Sequence, residues 1–318
     1  MADTTWTKEL VQLHAQDAAA VELYTLPFYL TTLTSIKDTT DPTYKAILSV
    51  CMEEMLHLQL AANLCLALDT NPNFAVPHYG TPIQFLKPDD PETNHYALIN
   101  AQLDALNETT LQMMLDIETP TEFEDKTQDH TTPQYPYNTL GEMYDALLFG
   151  IQSVGIDQFS WTTTNQQAFW SDEKFKQKIS NLSDAKNAVM VINEQGEGKT
   201  MSPVPQMPFK EGDFPIPTDY RLSKEHLDPK TINQYAHYGR FIWIQNQVNK
   251  KGFPEVYAVQ NGAEQQSVLT TLQSDFADLV KDLNELWSGD SSSSIWGMTA
   301  LIGDAKKCWQ AGVVPKWS

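Results

Sequence analysis

The stretch that most constrains the fold runs from Asp41 to Asp69. Asp41-Pro42 is a helix start, with Asp as the cap and Pro as the first helical residue. No further Pro or Gly occurs until Pro72, which leaves about seven turns of uninterrupted helix. The face that carries Glu54 also carries Ile47, Val50, Cys51, His57, Leu58, Ala61 and Cys65. A carboxylate and an imidazole three residues apart thus sit mid-helix on the stripe that should face a core. A buried carboxylate needs a partner. Two readings meet that need. Glu54 and His57 partner each other as core residues, or the Glu-x-x-His pair holds a metal, as in carboxylate-bridged di-metal bundles.

The preceding helix separates these readings. It runs from about Leu10 to Ile36, with Glu22 on its apolar face beside Val11, Ala15, Ala18, Leu26 and Tyr29. The turn centres near Asp38, and Glu22 and Glu54 lie equally far from it along the chain. In an antiparallel helix pair, equal distance from the turn means equal height. Two inward carboxylates and one imidazole then meet at one level, which is half of a di-metal site. Pro27 interrupts the hydrogen bonding of this helix about one turn after Glu22. A second Glu-x-x-His, Glu92 to His95, falls in a Pro- and Asp-rich loop and reads as chance.

Further along, Asn107 caps a helix over 108–117, stopped by Pro120, and Glu118 behind it reads as a solvated helix end. Residues 140–154 form the next helix, ended by Gly155, with Glu142 in its first turn. That position suits a carboxylate by helix polarity alone, but Ala146 and Phe149 on the same side also allow a core-facing role. Ser183 or Asp184 caps a fourth helix, which carries Glu194 and breaks at Gly196-Glu197-Gly198. Glu142 and Glu194 again stand at similar heights, so helix-Glu then helix-Glu occurs twice. The second copy has Glu194-x-x-Glu197 in place of Glu-x-x-His. A proline-rich excursion follows from Lys199 to Leu222. Asp228-Pro229 then restarts a helix to about 248, with His237, Phe241, Ile244 and Val248 on one face. If this helix resumes the fourth one, His237 supplies the missing imidazole; the other reading is a core histidine beside Tyr238. Amphipathic helices over about 266–310 close the chain and read as packing helices around a Ser291–Ser294 linker.

The whole is an all-α chain of 318 residues, one elaborated domain rather than two. A net charge of −20 argues against nucleic acid and anionic membranes as partners. No apolar run is long enough to span a membrane, and the first residues lack the pattern of a secretion signal. Three cysteines, an odd number, argue against a disulfide framework and fit a cytoplasmic location.

Several of these blocks resemble a known family. Glu22-Leu-Tyr-Thr-Leu-Pro-Phe-Tyr-Leu, Ser35-Ile-Lys-Asp and Glu53-Glu-Met-Leu-His-Leu are similar to the ferritin-like domain of the iminophenyl-pyruvate dimer synthase family. Leu140-Gly-Glu-Met-Tyr, Glu194-Gln-Gly-Glu-Gly and His237-Tyr-Gly-Arg-Phe resemble its later motifs, and the likeness spans about residues 8–312. The resemblance implies a ferritin-like four-helix core with long loops and a di-metal site, usually two Fe, with Mn or a mixed pair as alternatives. The ligands it implies are Glu22, Glu54, His57, Glu142, Glu194 or Glu197, and His237. Characterised members of the wider family act in bisindole pigment pathways, coupling imines of aromatic 2-oxo acids oxidatively. The expectation is therefore an oxidoreductase that uses O2 on a small organic substrate, an amino-acid-derived amine or imine. Changing Glu54 or His57 to Ala is expected to abolish metal binding and turnover. The alternatives are an iron-oxidising or iron-storing protein without organic substrate, and a metal-free interaction module. The oligomeric state is not written in the sequence.

Overall fold

A computed structural model of the protein describes residues 5–79, 101–118, 133, 137, 140–169, 178–196, 216–217, 227–228, 236–260, 265–295 and 297–318. Among them are eight α-helices and one two-stranded antiparallel pair, β1 (Ile216–Pro217) with β2 (Leu227–Asp228).

The centre is a helical hairpin. Helix α1 spans Lys8–Ser35 and starts at Thr7, whose side chain accepts from the Leu10 N–H. Helix α2 spans Pro42–Ala67, with Pro42 as its first residue and the Asp41 carboxylate accepting from the Thr43 N–H at 2.7 Å. Six residues join them, so the two lie antiparallel. Every residue from Val21 to Ile36, and every residue from Glu53 to Leu68, is buried. A helix stretch covered on all sides needs neighbours on all sides. These neighbours are α4 (Leu140–Val154), which packs on α1, and α5 (Leu182–Gly196), which packs on α2. Contact between α4 and α5 closes the four-helix ring.

Two more helices flank the ring. Helix α3 (Glu108–Ile117) is capped by a reciprocal pair, Asn107 with Thr110. It packs against α6 (His237–Lys251), and α6 also packs on α2. On the far side, α7 (Gln265–Trp287) and α8 (Gly297–Gln310) form a covering layer, with α8 against α1. Cys51, Cys65 and Cys308 are buried free thiols. Among the described residues, no helix is long and apolar enough to cross a membrane.

Two expected helix starts shift. Helix α5 begins at Leu182 rather than behind Ser183 or Asp184, because the Asn181 side chain caps it by accepting from the Asp184 N–H at 3.0 Å. Helix α6 begins at His237 rather than at Asp228-Pro229. Asp228 is taken into β2, where it pairs with Ile216, and Ala236 has extended ψ. Residues 229–235 lie outside the described residues.

Candidate metal centre

Helix α1 brings Glu22 inward, and α2 brings Glu54 and His57 to the same level, as the turn-distance argument expects. His57 Nδ1 lies 3.7 Å from Glu22 Oε2 and 3.8 Å from Glu54 Oε1. A second set shares Glu54. His237, the first residue of α6, places Nδ1 2.9 Å from Glu54 Oε1 and 3.5 Å from Glu118 Oε1. The two groups, Glu22–Glu54–His57 and Glu54–Glu118–His237, each gather ligand atoms closely enough to hold one ion. All five side chains are buried. The two imidazoles stack with centroids 5.3 Å apart.

Each ligand is held from behind. Tyr144 on α4 donates its hydroxyl hydrogen to Glu22 Oε1. Thr25, one turn along α1 from Glu22, donates to Glu54 Oε2 at 2.8 Å. Tyr29, one further turn along, donates to Glu118 Oε1. His57 Nε2 meets the Gln195 amide oxygen on α5 at 3.0 Å. His237 Nε2 meets Glu53 Oε2 at 3.0 Å. A ring N–H fixed to an outer acceptor leaves the other nitrogen to face the centre. Gly196 completes the enclosure: a Cβ there would stand 3.2 Å from Glu118 Oε2, so glycine lets the end of α5 approach that carboxylate.

The electrostatics call for a cation. Glu22, Glu54 and Glu118 converge away from water, while Arg240, the arginine among the described residues, pairs with Glu53. That pairing overcomes burial and holds the Glu53 carboxyl below its usual range. Burial, and then the neighbouring Glu54 charge, push Glu22 well above the carboxylate range. Burial and the adjacent His237 lower His57 to about 3, so it stays neutral near pH 7. His237 goes the other way: burial opposes its cation, but Glu118 and the hydrogen-bonding carboxylates outweigh burial and raise it. Among the five candidate ligands, one ring nitrogen stands out. His237 Nδ1 makes no hydrogen bond despite its closeness to Glu54. Three carboxylates and two imidazoles, one of them with its inward nitrogen free of a hydrogen bond, fit a pair of divalent cations with mixed oxygen and nitrogen ligands.

Of the residues singled out from sequence, the structure brings Glu22, Glu54, His57 and His237 together. Glu142 is buried in the first turn of α4 but belongs to neither group. Glu194 is only half-buried on α5 and belongs to neither group, and Glu197 lies outside the described residues. Glu118 corrects the sequence reading. It is 4% exposed rather than a solvated helix end, because α3 docks on α6 and turns its last carboxylate toward the hairpin. Its place directly after a capped helix gave no local signal. Glu53 was also missed, although it precedes Glu54 in sequence. Three carboxylates and His57 line a cavity of about 20 Å³, with Ile117 and Ile192 among its apolar lining. That is room for a small molecule the size of water or O2 among the described ligand side chains.

A family model described as ferritin-like matches residues 15–246 of the chain. Among solved structures, a ferritin like protein from Caulobacter vibrioides, determined at 1.95 Å resolution, is similar with a TM-score of 0.77 and 26% identity. The match covers 99% of this chain and 100% of that one. No curated protein matches the chain.

Proposed function

The chain belongs to the ferritin-like family and has its all-α bundle fold, and from that premise we propose that it is a di-iron, carboxylate-bridged oxidoreductase that uses O2. The observation that carries this reading is Glu54, the one carboxylate common to both ligand groups. A shared carboxylate between two histidine-bearing sets is what a bridged pair of ions requires. Glu22 and His57 would hold one ion, and Glu118 and His237 the other. Bound iron would supply the electrons for O2 reduction. The residues around it do the rest. Thr25, Tyr29, Tyr144, Gln195 and Glu53 would orient the ligand atoms toward the ions. Ile117 and Ile192 would give the carboxylates an apolar border. Manganese suits the same ligands, and metal analysis decides between them.

For the reaction, the motif likeness to the iminophenyl-pyruvate dimer synthase family supports a small amino-acid-derived amine or imine as substrate, with the protein working in the cytoplasm. A second reading, iron oxidation without an organic substrate, is favoured by the small space among the described ligands, about 20 Å³. The first experiment is metal analysis of the purified protein, followed by O2 uptake after anaerobic Fe(II) loading. Wild type should carry two metals per chain. Glu54→Ala should carry almost none and His57→Ala no more than one, both with O2 uptake lost. Two metals per chain in both variants would overturn the reading. Oxygen uptake that stops once the added iron is oxidised, and is not renewed by amines or imines, favours the iron-oxidising alternative.

A further inference from the structure

The two halves of the centre are backed by different chemistry. His237 directs Nε2 at a carboxylate, Glu53, with 3.0 Å to Oε2. Glu53 is itself gripped on both oxygens by Arg240, at 2.8 Å from Nη1 to Oε2 and 2.9 Å from Nη2 to Oε1. Arg240 Nη1 also donates to Ser49 Oγ at 2.9 Å. Glu53, His237 and Arg240 are all 0% exposed. His57 directs Nε2 at a neutral acceptor instead, the amide oxygen of Gln195 at 3.0 Å.

The difference matters at the opposite ring nitrogen. A hydrogen bond to a carboxylate is about twice as strong as one to a neutral acceptor. It pulls the proton further off the ring and raises the basicity of the nitrogen that faces the metal. The spacing of the ligand atoms runs the same way. Around His237 Nδ1 the carboxylate oxygens stand at 2.9 and 3.5 Å, and around His57 Nδ1 at 3.7 and 3.8 Å. Ligands about 2.0–2.2 Å from one ion lie about 3 Å from each other when set at right angles. The His237 group already has that spacing, whereas the His57 group must contract.

We propose that the two metal positions are unequal by design of their surroundings: the His237 position takes a divalent cation first and more tightly, and the His57 position fills second. Glu53, locked by Arg240, is the positioning residue that sets the difference. The inference rests on the metal-centre reading above and adds an order of loading to it.

The test is an anaerobic calorimetric titration of the full chain with Co(II), followed in parallel by its visible absorption. Wild type should bind in two separate steps. His237→Ala should remove the tight step, and His57→Ala should keep it. Glu53→Gln gives His237 the same kind of acceptor that His57 has, and should weaken the tight step by about 10–100-fold while the weak step changes far less. That variant leaves Arg240 buried without its partner, so E53Q combined with R240M is made beside it, and circular dichroism checks that both fold. Gln195→Glu is the reverse exchange and decides independently: it should tighten the weak step and draw the two steps together. A merely structural role for Glu53 would weaken both steps alike, and Gln195→Glu would then tighten neither. A single step of two equal sites in wild type, or two steps that neither exchange moves selectively, overturns the inference and leaves the metal centre standing. No Co(II) binding by wild type overturns the metal centre itself, and this inference with it.

Discussion

A buried histidine outside the centre shows how much one side chain can tie stability to pH. His14 on α1 holds both ring nitrogens in hydrogen bonds, Nδ1 to the Leu10 carbonyl at 2.6 Å and Nε2 to the Tyr137 hydroxyl at 2.7 Å. Burial lowers it to about 4. The unfolded chain binds a proton there near pH 6.5, and the folded chain resists until about pH 4. Its share of stability is therefore complete above pH 6.5 and falls as pH drops toward 4, by about 3 kcal/mol at most. Asp17, three residues on, is raised to about 7 by burial and shifts stability the opposite way over an overlapping range. The difference between His14→Gln and wild type isolates the histidine. In urea titrations, the stability lead of wild type over the variant should shrink as pH is lowered from 7 to 5. A lead that stays constant with pH would refute the assignment. Residues of this kind mark the limit of sequence reading. Glu22, Glu54 and His57 were legible because helix periodicity and one short turn fix their heights. Glu118 was not, because its burial depends on α3 docking against α6, a contact between segments more than a hundred residues apart. Gln195 and Glu53 were missed for a related reason: hydrogen-bond partners of a ligand carry no spacing rule.

At the scale of the helix, two glycines place local propensity against packing. Gly150 on α4 is buried, and a Cβ there would clash with Cε3 of the Trp6 indole. Gly303 on α8 is exposed, and a Cβ there would meet nothing within 4 Å. Alanine gains about 1 kcal/mol over glycine inside a helix at either position. At Gly150 the rigid ring must move, and overpacking of that kind costs about 1–3 kcal/mol. Gly150→Ala should therefore lower the urea midpoint, and Gly303→Ala should raise it by up to about 1 kcal/mol of stability. Two shifts of the same sign would mean that the Trp6 contact is not restrictive. The helices themselves were largely legible for the reason that makes Gly303 simple: their start signals are local. Asp41-Pro42 and Asn107 carry their capping bonds within a few residues. Asp228-Pro229 looked the same, but Asp228 is drawn into β2 by pairing with Ile216, a partner that the local sequence does not name.

Across the whole molecule, α1 is a wall between two layers. One side carries Glu22, Thr25 and Tyr29 toward the metal centre. The other meets the C-terminal layer, where the Trp309 indole donates to the Thr31 carbonyl at 3.0 Å and the Trp317 indole donates to Thr31 Oγ1 at 2.8 Å. Trp317 is 1% exposed and packs edge-on against Phe276 of α7 at 5.2 Å between centroids. Thr31 in turn donates its hydroxyl to the Pro27 carbonyl at 2.7 Å, so the tail is anchored at the interrupted turn of α1. Trp317→Ala removes a buried ring and leaves a cavity between α1 and α7, at a cost of about 3–5 kcal/mol. Trp317→Phe keeps most of the ring and loses one hydrogen bond, at about 1 kcal/mol. The ligands hang on the opposite side of α1 and are held by Tyr144, Gln195 and Glu53 from other elements. The covering layer should therefore govern stability without governing metal stoichiometry. Both variants should unfold at lower urea, Ala more than Phe, while the folded fraction still binds two metals per chain. A loss of metal in Trp317→Ala under conditions where its helical signal is intact would mean that α1 transmits strain from its outer layer to the centre, and that the two sides of the wall are one cooperative unit.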